Sequence, residues 1–146
     1  MNDEIDDIAR QLTRIYLDEE DWHDEKLSKP EAIRYHKRLI EKGSIIQCTC
    51  GKRLVGYIEV WKVNFEQFGR LVCNTPFSAV EEDVENGNIG WVGNIWVEPE
   101  YRHKGVFKAM RKEFIKMCET CDYYAGRALT KDGNIKLFNR RKHNGR

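Results

Sequence analysis

Ile5, Ile8, Leu12, Ile15 and Tyr16 recur at three- and four-residue intervals, which predicts an amphipathic helix over about residues 3–18. The acidic stretch Asp18–Glu25 breaks that period and reads as a loop. Ser28 three residues ahead of Glu31 forms a capping box and Pro30 suits a first turn; Ile33, His36, Leu39 and Ile40 then carry an apolar face towards Gly43, predicting a second helix over about 29–42. The pattern next becomes strand-like: SIIQCTC and VGYIEVWKV, separated by a glycine-led turn, predict a hairpin with strands near 44–50 and 54–63. From Asn64 to Asn88 the periodicity weakens, and this stretch is read as a long excursion of functional or mobile character. A third strand at about 89–97 runs through a short polar turn into a helix from Gly105 to about Glu119, with Phe107, Met110, Phe114 and Met117 on its buried side. Tyr123–Leu129 is a fourth strand, parallel to the third because a helix joins them, and Asn134 to about Arg141 reads as a final short helix.

Composition bounds the class. With 146 residues, 40% hydrophobic and 34% charged, the chain suits one domain with a real core: a helical part over 1–43, a sheet over 44–137 and a basic tail over 138–146. No run approaches the roughly 18 apolar residues of a membrane helix, and the start MNDEIDD lacks a signal-peptide layout, so a cytoplasmic location without membrane contact is expected. The five cysteines are odd in number and scattered, which points to reduced thiols. Cys48 with Cys50 and Cys118 with Cys121 match no standard zinc spacing, and no metal is assigned. A net charge of +1 gives no general signal for nucleic acid; the stretch Lys136–Arg146, basic and without acids, is either a frayed solvated tail or a phosphate grip.

Chemistry concentrates where the third strand meets the following helix. Free N–H groups at a helix start, the helix dipole and a close-approach glycine at Gly105 make an anion cradle, with Arg102, His103 and Lys104 beside it. A Walker pattern and a dinucleotide fingerprint are both absent. The layout of Val97, Pro99, Tyr101, Arg102, Gly105 and an amphipathic helix resembles the acetyl-coenzyme A signature of the GNAT superfamily of N-acetyltransferases. The resemblance runs from about Val55 to Leu137, matches at Arg102 and Gly105, and departs at Phe107, where the family has a small residue.

The resemblance implies a GNAT-like α/β (α+β) fold: a mixed, mainly antiparallel sheet with a parallel splayed strand pair, two N-terminal helices and flanking helices. It also implies that acetyl-coenzyme A binds backbone groups at Ile95, Trp96 and Val97 and the loop of Arg102, His103, Lys104, Gly105, Val106 and Phe107, with Asn134 and Phe138 contributing from the last helix. The reaction it implies is acetyl transfer to a primary amine of a small molecule, peptide or protein. Such transfer needs a base and an acid. Glu59 is the base candidate, against the alternative of an exposed glutamate; Asn94 either positions a water or is a satisfied core amide. The family often supplies the acid from a tyrosine at the position of Phe138, which cannot donate, leaving Tyr123 or Tyr124, and Tyr124 is taken as the candidate. The resemblance further implies two closing strands that this sequence lacks, either absent or replaced across a homodimer. A non-catalytic coenzyme A-binding module and an enzyme acting on nucleic acid or a nucleic-acid-bound protein are the alternatives.

Overall fold

The structure, a computed structural model, describes residues 2–18, 27–41, 45–73, 87–129 and 135–141. Two helices, α1 (Asn2–Asp18) and α2 (Lys29–Glu41), precede a hairpin of β1 (Ile45–Cys50) and β2 (Arg53–Val63). Then follow α3 (Phe65–Val72), β3 (Ile89–Val97), a 3₁₀ turn at Pro99–Tyr101, α4 (Val106–Met117), β4 (Tyr123–Leu129) and β5 (Ile135–Arg141). The five strands lie in the order of the chain, and every pairing is antiparallel except β3 with β4. The capping box at the start of α2 is formed: Ser28 N donates to Glu31 Oε1 at 3.1 Å and Glu31 N donates to Ser28 Oγ at 3.4 Å.

Two expectations are corrected. The expected final helix from Asn134 to Arg141 is instead strand β5, paired antiparallel with β4 from Tyr123↔Arg141 to Leu129↔Ile135. The first residue of this segment, Ile135, has a high strand propensity. The chain therefore continues the sheet directly after β4, and residues 138–141 belong to that sheet. The second correction is α3, inside the stretch read as patternless. Asn64 caps it with a complete capping box, its side chain accepting from Gln67 N at 2.8 Å while Gln67 Oε1 accepts from Asn64 N at 3.0 Å.

The sheet carries a separate apolar cluster on each face. Tyr57, Trp61 and Val63 of β2 and Ile89 and Trp91 of β3 pack with Leu12, Ile15, Leu39 and Leu71 under α1, α2 and α3. Ile58 and Val60 of β2 and Val92 of β3 pack with Met110, Phe114, Cys118 and Cys121 under α4. Strand β2 is therefore buried on both faces.

Strand β3 does not alternate regularly. Its register with β2 shifts between Glu59 and Val60, so that Glu59 faces Asn94, Val60 faces Val92, and Gly93 is the extra residue of a bulge. A one-residue bulge exchanges the faces of everything after it. Trp91 and Trp96, an odd number of residues apart, consequently both pack on the α1 side, while Val97 packs on the α4 side.

Candidate functional site

The β3–β4 ladder runs from Ile89↔Tyr123 to Val92↔Gly126, and there it ends. Beyond it β3 stays paired to β2 from Asn94 to Val97, while β4 stays paired to β5. A gap between the parallel strands thus opens at the bulge. Glu98 N donates to the Val55 carbonyl at 2.8 Å, which puts Glu98, Trp96 and Asn94 at the positions bonded to β2. By the two-residue period, the backbone groups of Ile95 and Val97 turn the other way, towards the gap. The Val97 carbonyl accepts from Arg102 Nε at 2.9 Å, so this arginine braces the turn that leads to α4.

That turn is held open. Arg53 pairs with Glu98 at 2.9 Å and its guanidinium lies 5.9 Å from the Tyr101 ring centre, fastening the start of β2 to the turn. His103 (φ 64°) and Gly105 (φ 87°) are both left-handed, a conformation that costs a side-chain-bearing residue roughly 1–2 kcal/mol. Gly105 is the N-cap of α4 and no side chain caps the helix. The first bond closing the helix runs from Ala109 N to Gly105 O at 3.0 Å, leaving the N–H groups of Val106, Phe107 and Lys108 directed outward. The first turn contains no acid, although helix starts favour one. A Cβ placed on Gly105 meets nothing within 4 Å, so the cradle is open to a ligand. Phe107 is 46% exposed rather than buried, and Ile95 is 44% exposed in the gap region. The α4 start approaches the sheet closely because Gly56 lies beneath it: a Cβ there would stand 2.9 Å from Val106 Cγ1.

On the opposite face, the α1 side, Glu59 is 5% exposed, which excludes the exposed-glutamate alternative. Its Oε2 accepts from Tyr35 OH and from Trp61 Nε1, the latter at 3.0 Å. Asn94, its partner across the ladder, donates Nδ2–H to Tyr57 OH at 2.8 Å. The carboxylate lies directly over the bulge, since a Cβ on Gly93 would stand 2.1 Å from Glu59 Oε2. Gly93→Ala is expected to displace this carboxylate and lower stability by about 1–3 kcal/mol, as overpacking does; urea unfolding measures it.

The structure brings Glu59 and Asn94 together but not Tyr124. Tyr124 pairs with Gly90 and packs edge-on against Phe114 at 5.2 Å on the α4 side, with the sheet between it and Glu59. Tyr123 points to the other face, 6.3 Å from Phe65. Asn134 lies outside the described residues, as does the side chain of Phe138, whose backbone pairs with Gly126 in β5. Tyr35, Tyr57, Trp61 and Gly93 were not singled out from the sequence, although Trp61 lies two residues from Glu59 and must share its face. A cleft of about 480 Å³ opens on this side between the end of α1 and the ends of β2 and β3, lined by Arg14, Asp18, Arg53, Leu54, Trp96 and Glu98. Among the described residues no group of three or more His, Cys, Asp and Glu could hold a metal, and no helix is long and apolar enough to cross a membrane.

Behind Tyr35 lies a second buried polar pair. His36 is 3% exposed, its Nδ1 is 2.9 Å from Thr13 Oγ1, and its ring meets those of Tyr16 and Tyr35 edge-on. Burial pushes its pKa down to about 4, against a hydrogen bond with the Ala32 backbone. The folded protein therefore holds a neutral imidazole that the unfolded chain protonates near its ordinary 6.5. Stability from this group is complete above pH 6.5 and is lost as pH falls towards 4, by about 3 kcal/mol. Urea unfolding between pH 7 and 4 should show that loss, and His36→Leu should remove this part of the slope.

The sequence model of the Acetyltransferase (GNAT) family matches residues 6–142. This chain belongs to the GNAT family. No curated protein matches it significantly. Of 37 matching solved chains, the loading GNATL domain of CurA from Lyngbya majuscula has 12% identity and a TM-score of 0.62, with 89% of this chain and 62% of that one covered. Mosquito arylalkylamine N-acetyltransferase like 5b has 13% identity and a TM-score of 0.61, covering 90% and 74%. The GphF GNAT-like decarboxylase, solved in complex with isobutyryl-CoA, has 14% identity and a TM-score of 0.58, covering 90% and 65%. At these identities the likeness is one of fold: the GNAT chain spans less than two thirds of the length of two of these three structures.

Proposed function

We propose that this GNAT protein transfers an acetyl group from acetyl-coenzyme A to a primary amine. The observation carrying this reading is the β3–β4 gap at Ile95–Val97, followed in the chain by the uncapped, acid-free start of α4. Backbone groups of Ile95 and Val97 suit an extended pantetheine, and the N–H groups of Val106, Phe107 and Lys108 suit a pyrophosphate, with Lys104 and the open space at Gly105 beside them. Acetyl-coenzyme A supplies an activated acyl carbon when bound.

The remaining chemistry falls to the chain. A gap-facing N–H of the Ile95–Val97 stretch stabilises the oxyanion. The amine nitrogen forms its bond to the acyl carbon, the carbon–sulfur bond breaks with its electron pair on sulfur, the nitrogen's proton passes to Glu59, and the thiolate takes one from solvent. The acceptor enters from the α1 side, where Glu59 and the cleft at Arg14, Asp18 and Trp96 lie.

Thiol release from acetyl-coenzyme A against a panel of polyamines, arylalkylamines and lysine peptides tests this reading, with the product identified by mass. Amine-dependent release with an acetylated product is expected. Tight binding of acetyl-coenzyme A with no release on any amine would instead favour a coenzyme A-binding module.

A further inference from the structure

Glu59 occupies a socket built by two elements. Trp61, fully buried, reaches Oε2 from the same strand, and Tyr35 reaches the same oxygen from α2. The convergence of both donors on Oε2 fixes the rotation of the carboxylate, and the missing side chain at Gly93 lets it rest against the bulge where the β3–β4 ladder ends. Both donors are neutral. Such donors offset part of the cost of burying an anion.

The Tyr35 ring is itself held between His36, at 5.4 Å, and Trp61, at 5.8 Å. His36 in turn meets Thr13 of α1 at 2.9 Å. The series Thr13, His36, Tyr35, Glu59 therefore ties the two N-terminal helices to the carboxylate at the bulge. We propose that Tyr35 is a positioning residue for the transfer reaction, its hydroxyl orienting Glu59 so that the carboxylate meets the proton leaving the acceptor. This role rests on the acetyltransferase reading and assigns to α2 a part in the chemistry beyond covering the sheet. Because Tyr35 acts through Glu59 and on the face opposite α4, its loss should alter turnover and leave cofactor affinity in place.

The test compares wild type, Tyr35→Phe and Glu59→Gln as full chains. It measures thiol release with acetyl-coenzyme A and the most reactive amine of the panel, or with water if none reacts, alongside calorimetric acetyl-coenzyme A binding. Tyr35→Phe should lower kcat about 10- to 100-fold, with KM and Kd for acetyl-coenzyme A within about two-fold of wild type. Unchanged kcat in Tyr35→Phe together with an inactive Glu59→Gln would overturn the role of Tyr35 alone. Full activity of Glu59→Gln would overturn the role of Tyr35 and leave the acetyltransferase reading in place, whereas no thiol release by wild type under any condition would overturn that reading and the proposal with it. If Tyr35→Phe fails to fold, 3-fluorotyrosine at position 35 keeps the ring and hydroxyl while altering donor strength; a changed kcat at constant KM supports the proposal, and an unchanged kcat overturns it.

Discussion

Gly105→Glu is expected to give a folded protein that has lost measurable affinity for acetyl-coenzyme A. The substitution carries two separable effects. The left-handed backbone at φ 87° disfavours any side chain, at a cost of roughly 1–2 kcal/mol. Nothing lies within 4 Å of the added Cβ, so the side chain collides with no protein atom and the fold should survive. The carboxylate, however, enters the mouth of the cradle formed by the N–H groups at the α4 start, and there it competes with and repels a pyrophosphate. Gly105→Ala is the control, since it carries the strain without the charge. Calorimetric titration should show a reduced but measurable affinity for Gly105→Ala and none for Gly105→Glu. Equal affinities in the two variants would mean that strain, and not occupation of the cradle, accounts for the effect.

Glu59→Gln is expected to lower kcat by about 10²- to 10⁴-fold, the range over which a positioned base acts. Glutamine has the same shape, and its amide oxygen can accept from Tyr35 and Trp61 as Oε2 does, so the socket and the bulge at Gly93 should persist. What it lacks is basicity. Acetyl-coenzyme A binding should be unchanged, because Glu59 lies on the α1 side and the cradle begins α4 on the other. Steady-state thiol release with parallel calorimetry checks both halves, and wild-type turnover in this variant would assign Glu59 a packing role only.

The elements with a strong period were legible in the sequence. The stripes of α1 and α2, the β1–β2 hairpin, β3, α4 and β4 emerge within a residue or two of their observed ends, because each buries one face or, for β2, both. Helix α3 was hidden for a physical reason. Eight residues give barely two turns of periodicity, and its clearest mark is the Asn64–Gln67 capping box, with Asn in place of the more familiar Ser or Thr. Strand β5 differs from the expected helix because seven residues, Ile135–Arg141, are too few to separate a 2-residue from a 3.6-residue period, and the antiparallel pairing with β4 decides the outcome.

Of the candidate site, Glu59, Asn94 and the Arg102–Phe107 loop are proposals that the sequence alone already supports, whereas the residues around them are visible only in the structure. The bulge at Gly93 decides which side of the sheet each residue of β3 faces, and its trace in the sequence is the odd separation of Trp91 and Trp96 around a glycine. Tyr35 is more remote still, since a helix-to-strand hydrogen bond depends on how α2 docks, and α2's own stripe of Ala32, His36 and Leu39 gives only its inward face.

A crystal structure with acetyl-coenzyme A bound tests the central claim most directly. The account predicts the pyrophosphate on the N–H groups of Val106, Phe107 and Lys108, the pantetheine extended along Ile95–Val97 in the β3–β4 gap, and the thioester at the bulge beside Gly93 and Glu59. A cofactor seated away from the α4 start, or a β3–β4 gap left empty with the cofactor bound, would contradict it.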